Sequence, residues 1–311
     1  MAKSKKAKSK KKTQKPHKTI GILHSGANGK HDKEIAAFTK ALGQTGYTNV
    51  TIVGPLWSYD DPQTLANNAQ TLAAPNAGLD LIVSAGGTAS VYALVDAQSK
   101  AGTNTNVVFT TFSEQNAPAP NMTGVNAQTS GLDVPRMQLL YNDAPNETTF
   151  GVLENPKRPN YDASKLQAWA DQKDVMLNRQ PVYKNAGEAD QAVIDRIDVA
   201  FDNWRQNKIK FAQVCADPIF NDHRPDVTKA ANGPPHITTI YQWKEFRDDG
   251  ATPSDLVYGT SLIEAYQQAG KMAGDVLNNP QGIAAIPVYT LMPQLFVKRK
   301  TAKGRRRKKR L

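Results

Sequence analysis

The sequence holds a single cysteine, Cys215, in 311 residues, which excludes an internal disulfide and a cysteine-built metal cluster. No run approaches the roughly 18 apolar residues of a membrane-spanning helix. Nor does an export signal follow the basic start. Thr13-Gln14-Lys15-Pro16-His17 intervenes, and Ile20-Gly21-Ile22-Leu23 is too short for the apolar segment such a signal needs. The sequence as it stands therefore reads as cytoplasmic. His24, His31, His223 and His236 are scattered, without the short spacing of a helical metal pair. A Gly-x-Ser-x-Gly nucleophile elbow is missing, and no pair of carboxylates is placed for acid–base work. The expectation is a non-enzyme with no catalytic residue, no metal and no cofactor.

Acid is absent from both ends. Residues 1–18 carry nine lysines and residues 298–311 ten Lys or Arg, which leaves the body 20 basic against 28 acidic residues, near −8. The formal charge of +11 thus belongs to the tails. Such tails repel themselves and neutralise phosphate without reading sequence, so both are expected to be disordered. Either they make non-specific contacts with nucleic acid or an anionic membrane, or they only solubilise. An acidic body argues against a sequence-reading nucleic-acid module.

Between the tails the chain is organised around Leu79–Ser90, LDLIVSAGGTAS. Leu79, Leu81, Ile82 and Val83 form an apolar run of the kind buried on both faces of a sheet. Ser84-Ala85-Gly86-Gly87 turns the chain, and Thr88 to Lys100 carries helical spacing through Val91, Leu94 and Val95. A strand entering a helix through small residues leaves unpaired N–H groups at the positive helix end, suited to a polar or anionic ligand. The alternative is that Gly86 and Gly87 only permit a tight turn.

The same pattern recurs on either side. Thr19 to Leu23 is a strand, followed by the polar loop His24-Ser25-Gly26-Ala27-Asn28-Gly29-Lys30 and a helix through Ile35, Phe38 and Leu42. That loop is too short for a phosphate loop and has His31 where a magnesium-binding hydroxyl would stand. Asn49 to Gly54 is a second strand, Asp61-Pro62 opens a helix, and Asn106 to Phe109 is a fourth strand ending at Thr110-Thr111-Phe112-Ser113. Strands alternating with helices imply a parallel sheet whose ligands bind beyond the strand carboxyl ends. That edge gathers Ser25, Gly26, Gly86, Gly87, Thr88, Thr110, Thr111 and Phe112.

After a Pro- and Asn-rich connection over 116–131 the pattern restarts. Phe150 to Leu153, Phe211 to Ala216 and His236 to Tyr241 read as strands, and Ala189 to Gln206 as an amphipathic helix. The second carboxyl edge carries Glu154, Asn155, Asp217, Tyr241 and Gln242. Ser261-Leu262-Ile263-Glu264 reads as a capping box before a long helix, and Pro287 to Val297 as extended. The fold class is α/β: two Rossmann-like lobes with parallel sheets and a cleft between them, a favoured place for a small-molecule ligand.

With these residues placed, the chain resembles the type I periplasmic-binding-protein-like family of ABC-transporter substrate-binding proteins, the sugar or tryptophan/tyrosine type. The resemblance lies in IGILHSG at Ile20–Gly26, DLIVSAGGTAS at Asp80–Ser90, VVFTTFS at Val107–Ser113 and TGVNAQTSGLDVPRMQLL at Thr123–Leu140. It continues in FGVLENPKRPN at Phe150–Asn160 and YGTSLIEAYQQAGKMAGDVL at Tyr258–Leu277, and spans residues 19–297. It implies three crossings between lobes, with 19–127 plus 259–283 as lobe one and 128–258 plus 284–297 as lobe two. It also implies an ABC permease as partner, a monomer or weak dimer, and ligand contacts at Ser25, Gly86-Gly87-Thr88, Thr110-Thr111, Asn155, Asp217 and Tyr258. The chain departs from the family in lacking an export signal or lipoprotein cysteine, in the irregular segment after Asp217, and in its basic tails. Those departures fit a cytoplasmic sensor derived from a transport protein.

Each candidate has a structural alternative. Asp217 either grips a ligand amine or hydroxyl or caps the turn before Pro218. Glu154 is a ligand contact or a solvated carboxylate, and Phe112 and Tyr241 stack on a ligand ring or pack in the core. Cys215 reads as a buried small hydrophobe. A kinase using Gly86-Gly87 as a nucleotide turn would need an acidic residue next, and the chain has Thr88-Ala89-Ser90. The expected ligand is a small polar molecule: an amino acid, a sugar or a nucleoside-like compound.

Overall fold

A computed structural model describes residues 15–59, 61–158 and 162–296. The strand expected at the centre, Leu81–Ala85, is buried at every position, as an apolar run flanked by strands on both sides must be. Lobe one alternates strands and helices: β1 (Lys18–His24), α1 (Asp32–Gln44), β2 (Val50–Trp57), α2 (Pro62–Ala73), β3 (Leu81–Ala85), α3 (Thr88–Ala101), β4 (Val107–Phe112) and β5 (Met122–Asn126). Lobe two repeats the scheme with α4 (Asp133–Asp143), β6 (Thr149–Glu154), α5 (Ser164–Lys173), β7 (Met176–Pro181), α6 (Asp190–Gln206) and β8 (Phe211–Val214). It continues through α7 (Pro218–Asp222), α8 (Arg224–Asn232), β9 (Thr238–Trp243) and β10 (Leu256–Thr260). The chain then returns to lobe one as α9 (Leu262–Asn278) and ends in two short strands, β11 (Tyr289–Thr290) and β12 (Gln294–Leu295).

The two sheets have matching orders, β11-β5-β4-β3-β1-β2 and β12-β10-β9-β8-β6-β7. All pairs are parallel except β12 against β10, and apolar clusters cover both faces of each sheet. Helix α9 lies against α1 so closely that a Cβ on Gly270 would stand 2.4 Å from the Phe38 carbonyl oxygen. Among the described residues no helix is long and apolar enough to cross a membrane.

Several boundaries differ from the sequence expectation. Lys18, assigned to the basic tail 1–18, opens β1 and pairs with Asp80 at 2.7 Å, while Lys15 donates to Asn278. Residues 1–14 and 297–311 lie outside the described residues, and with them most of both tails. The third crossing falls later than expected. Residues 284–290 belong to lobe one, because β11 pairs with β5 and Ile283 and Ile286 pack in that lobe's core, and only β12 joins lobe two. The segment after Asp217, read as irregular, forms α7 and α8, each begun by a proline in its first turn.

The first two crossings meet at Arg136, which is fully buried. Its Nε donates to the Tyr258 carbonyl at 2.8 Å, and its Nη1 donates to the Thr129 carbonyl and to Asp133, each at 3.0 Å. The start of α9 is held from lobe two. Ser261 accepts the Glu264 N–H as a capping residue should, but the carboxylate completing the cap is Glu245, not Glu264. Glu245 accepts from Ser261 Oγ at 2.6 Å and from the N–H groups of Leu262 and Ile263 at 3.1 Å.

Candidate functional site

The carboxyl edges of the two sheets face each other and enclose a cavity of about 560 Å³, within the range of small-molecule sites. Lobe one supplies the ends of β1, β3 and β4. Gly86 and Gly87 both take positive φ, +90° and +115°, a conformation that L side chains rarely adopt. A Cβ on Gly86 would collide with Ser25 Oγ, which donates to the Gly86 carbonyl at 2.7 Å. Gly87 caps α3 without a side-chain acceptor, so the positive end of that helix opens on the cavity beside Thr88 and Ala89. Thr88 Oγ1 lies 2.6 Å from Ser113 Oγ, and Tyr92 donates to Glu114 at 2.6 Å, which fixes the outer wall.

Lobe two supplies Asp217, Trp243 and Arg158. Asp217 Oδ1 accepts from the Ile219 N–H at 3.0 Å and from Asn155 Nδ2 at 3.2 Å. Its other oxygen, Oδ2, is buried without a hydrogen-bond partner, 4.0 Å from Arg158 Nε. Burial pushes the Asp217 carboxyl up to about 6, against the pull of Arg158. Trp243 closes the wall from the end of β9, and its indole N–H is likewise buried without a partner.

The floor is made of aromatic and imidazole rings. The Gly26 N–H donates to His24 Nδ1 at 2.9 Å, which leaves the ring proton on Nε2 to donate to Tyr266 Oη at 2.9 Å. Burial, and then the neighbouring His31, hold His24 well below the usual imidazole range, so it is neutral. His31 Nε2 stands 2.6 Å from Asp222 Oδ1 of lobe two, and that carboxylate also accepts the Ala27 N–H at 2.8 Å.

Of the residues expected from the sequence, Ser25, Gly26, Gly86, Gly87, Thr88, Thr111 and Asp217 line the cavity, and Asn155 stands behind Asp217. Six others lie outside its wall. Phe112 is buried against Phe109 and Tyr92, and Tyr241 stacks on Phe246 at 4.5 Å, because apolar rings beside a sheet core gain more from full burial than from an open edge. Thr110 is buried next to Tyr266, and Glu154 pairs with Arg179 at 2.5 Å. Gln242 is buried, with its Nε2 3.4 Å from Asn221 Oδ1, and Tyr258 is held at the hinge through its carbonyl. The wall also contains His24, His31, Tyr92, Arg158, Trp243 and Tyr266, none of which the sequence reading placed in the site. Cys215 is buried and burial pushes its thiol up, as a small hydrophobe in a core should behave.

No protein-family model matches the chain, and no curated protein matches it. Solved structures do. An ABC domain from Streptococcus pneumonia in complex with L-Trp is 18% identical at a TM-score of 0.63, over 90% of this chain and 92% of that one. A conserved domain protein from Vibrio cholerae is 16% identical at a TM-score of 0.69, over 90% and 91% of the two chains. An ABC transporter solute binding protein from Agrobacterium vitis with bound allitol is 16% identical at 0.62, over 91% and 96%. The chain therefore has the two-lobed fold of type I periplasmic binding proteins, the fold that its sequence resemblance implies.

Proposed function

We propose that the protein binds a small polar molecule between its lobes and does so without catalysis. The observation that carries this is the cavity between the lobes, which Asp217, Arg158 and Trp243 of one lobe and Ser25, Thr88 and the glycine turn of the other line together. A fitting ligand offers an amine or hydroxyl to Asp217, an acceptor to Trp243 or the α3 N-terminus, and a ring or chain to the walls of Tyr92 and Tyr266. Amino acids, sugars and nucleoside-like compounds meet that description; two proteins of this fold hold L-Trp, an amino acid, and allitol, a sugar alcohol. The absence of catalysis is supported by the likeness to solute binding proteins of this fold, such as the one with bound allitol. Delivery to an ABC permease is the role we assign, with a ligand sensor as the alternative use of the same closure.

The test is a thermal-shift screen of the full chain against amino acids, sugars, polyols and nucleosides. A ligand at a hundredfold excess over its dissociation constant stabilises the folded state by about 2.7 kcal/mol, a rise of a few degrees. A saturable shift that Asp217→Ala removes is the expected result. A panel with no saturable shift would overturn the proposal.

A further inference from the structure

Beside the cavity, four charged groups from opposite lobes meet out of water. His31 and Glu34 come from the start of α1, Asp222 and Arg224 from α7 and α8, and none of the four is more than 7% exposed. His31 Nε2 lies 2.6 Å from Asp222 Oδ1 and Arg224 Nη2 3.3 Å from Glu34 Oε1, so two ion pairs cross the cleft. A third pair holds Arg224 in place from its own lobe, Nε to Asp249 at 2.6 Å. Gly26 leaves room for the cluster: a Cβ there would stand 2.8 Å from both Asp222 Oδ1 and His31 Nε2.

We propose that His31, Glu34, Asp222 and Arg224 form a latch between the lobes, so that closing the cleft takes up a proton on His31. The closed geometry surrounds that imidazole with acid. Asp222 touches Nε2, and Glu34 Oε1 stands 3.9 Å from Nδ1, which is buried without a hydrogen-bond partner. With His31 neutral, Asp222 would lose its cationic partner in a dry interface, where Arg224 is already shared between Glu34 and Asp249 and unbalanced charge is costly. The other groups packed around His31 do not replace its charge. His24 of β1, 4.4 Å away ring to ring, is neutral, β2 offers the indole of Trp57, and α9 offers the Tyr266 phenol. His223, between Asp222 and Arg224, is engaged with Asp226 at 3.1 Å.

The direction follows from linkage. Burial disfavours a charged His31, but Asp222 and Glu34 outweigh it and raise its pKa to about 9. Opening the lobes removes Asp222 and Arg224 but leaves Glu34 of the same helix beside His31, so the group falls from about 9 part of the way toward its ordinary 6.5. Closure driven by the latch is therefore complete below the open-state value and is lost as pH rises through the closed-state one. Between about pH 6 and pH 9.5 the closing equilibrium should fall about tenfold.

The inference rests on the lobes closing around a ligand, as proposed above, but its test needs none. Spin labels at Lys100→Cys on α3 and Val199→Cys on α6, both exposed, report the distance between lobes in the ligand-free full chain, with Cys215 buried and unlabelled. Pulsed-EPR distances are compared across the pH range in which the far-UV spectrum is constant. The expected result is a closed population at low pH that gives way to a second distance at high pH. In His31→Gln the distribution should not respond to pH. An unchanged distribution without the substitution, or a pH response that survives His31→Gln, would overturn the latch and leave the binding function standing.

Discussion

Asn155 donates to Asp217 across 3.2 Å, joining the ends of two adjacent strands of lobe two. The same Asp217 oxygen, Oδ1, accepts the Ile219 N–H and caps α7, while Oδ2 lies 4.0 Å from Arg158 Nε.

Asp217→Asn should raise the stability of the empty protein while removing the ligand-induced shift. Burial lifts this carboxyl from 3.8 to about 6. The native state therefore holds its proton more tightly than the unfolded chain, and the associated stability is lost as pH rises through that window. Near neutral pH the neutral amide should be worth on the order of 1–2 kcal/mol over the buried carboxylate. Urea unfolding at neutral pH and near pH 4 checks it, since the gain should shrink at the lower value.

Thr88→Arg should fill the cavity and abolish ligand binding. It also loses the Thr88 hydroxyl bonded to Ser113, so the empty protein should weaken by about 1 kcal/mol. Thr88→Val separates the two effects: the same stability loss by urea unfolding, with much of the ligand-induced shift retained.

Gly26→Ala should oppose closure by placing a methyl against Asp222 and His31. The expected result is a ligand midpoint about tenfold higher in thermal-shift titrations, with each lobe's core unchanged.

Glu245→Ala should loosen the start of α9. It strips the acceptor from the Ser261 hydroxyl and from two backbone N–H groups, for a loss of about 1–3 kcal/mol in urea unfolding.

The fold was legible wherever burial imposed a local pattern. Leu81-Ile82-Val83, ending in small turn residues, read as a strand covered on both faces, and the spacing of Val193, Ile197, Phe201 and Trp204 as one buried helix face. Strand β7 was not legible, because an edge strand reading MLNRQP needs no apolar run. Helices α7 and α8 escaped notice because five and nine residues show too little periodicity. In the site, Ser25, Gly86 to Thr88 and Asp217 stood out because each ends a buried strand. His31 and Asp222 did not, since their contact joins residues 191 positions apart and leaves no mark on either neighbourhood. Tyr241 and Trp243 show the limit of naming residues by strand end alone. The former stacks inside on Phe246, and only the latter, two residues on, reaches the cavity.

The last crossing gives the chain a mechanical property. Lys18 is woven into a sheet of lobe one, whereas Gln294–Leu295 is woven into the sheet of lobe two. The two ends of the described chain are therefore anchored in different sheets. A fluorophore attached before β1 and another attached after β12 would sit on different lobes, so under the proposed closure their separation would report occupancy.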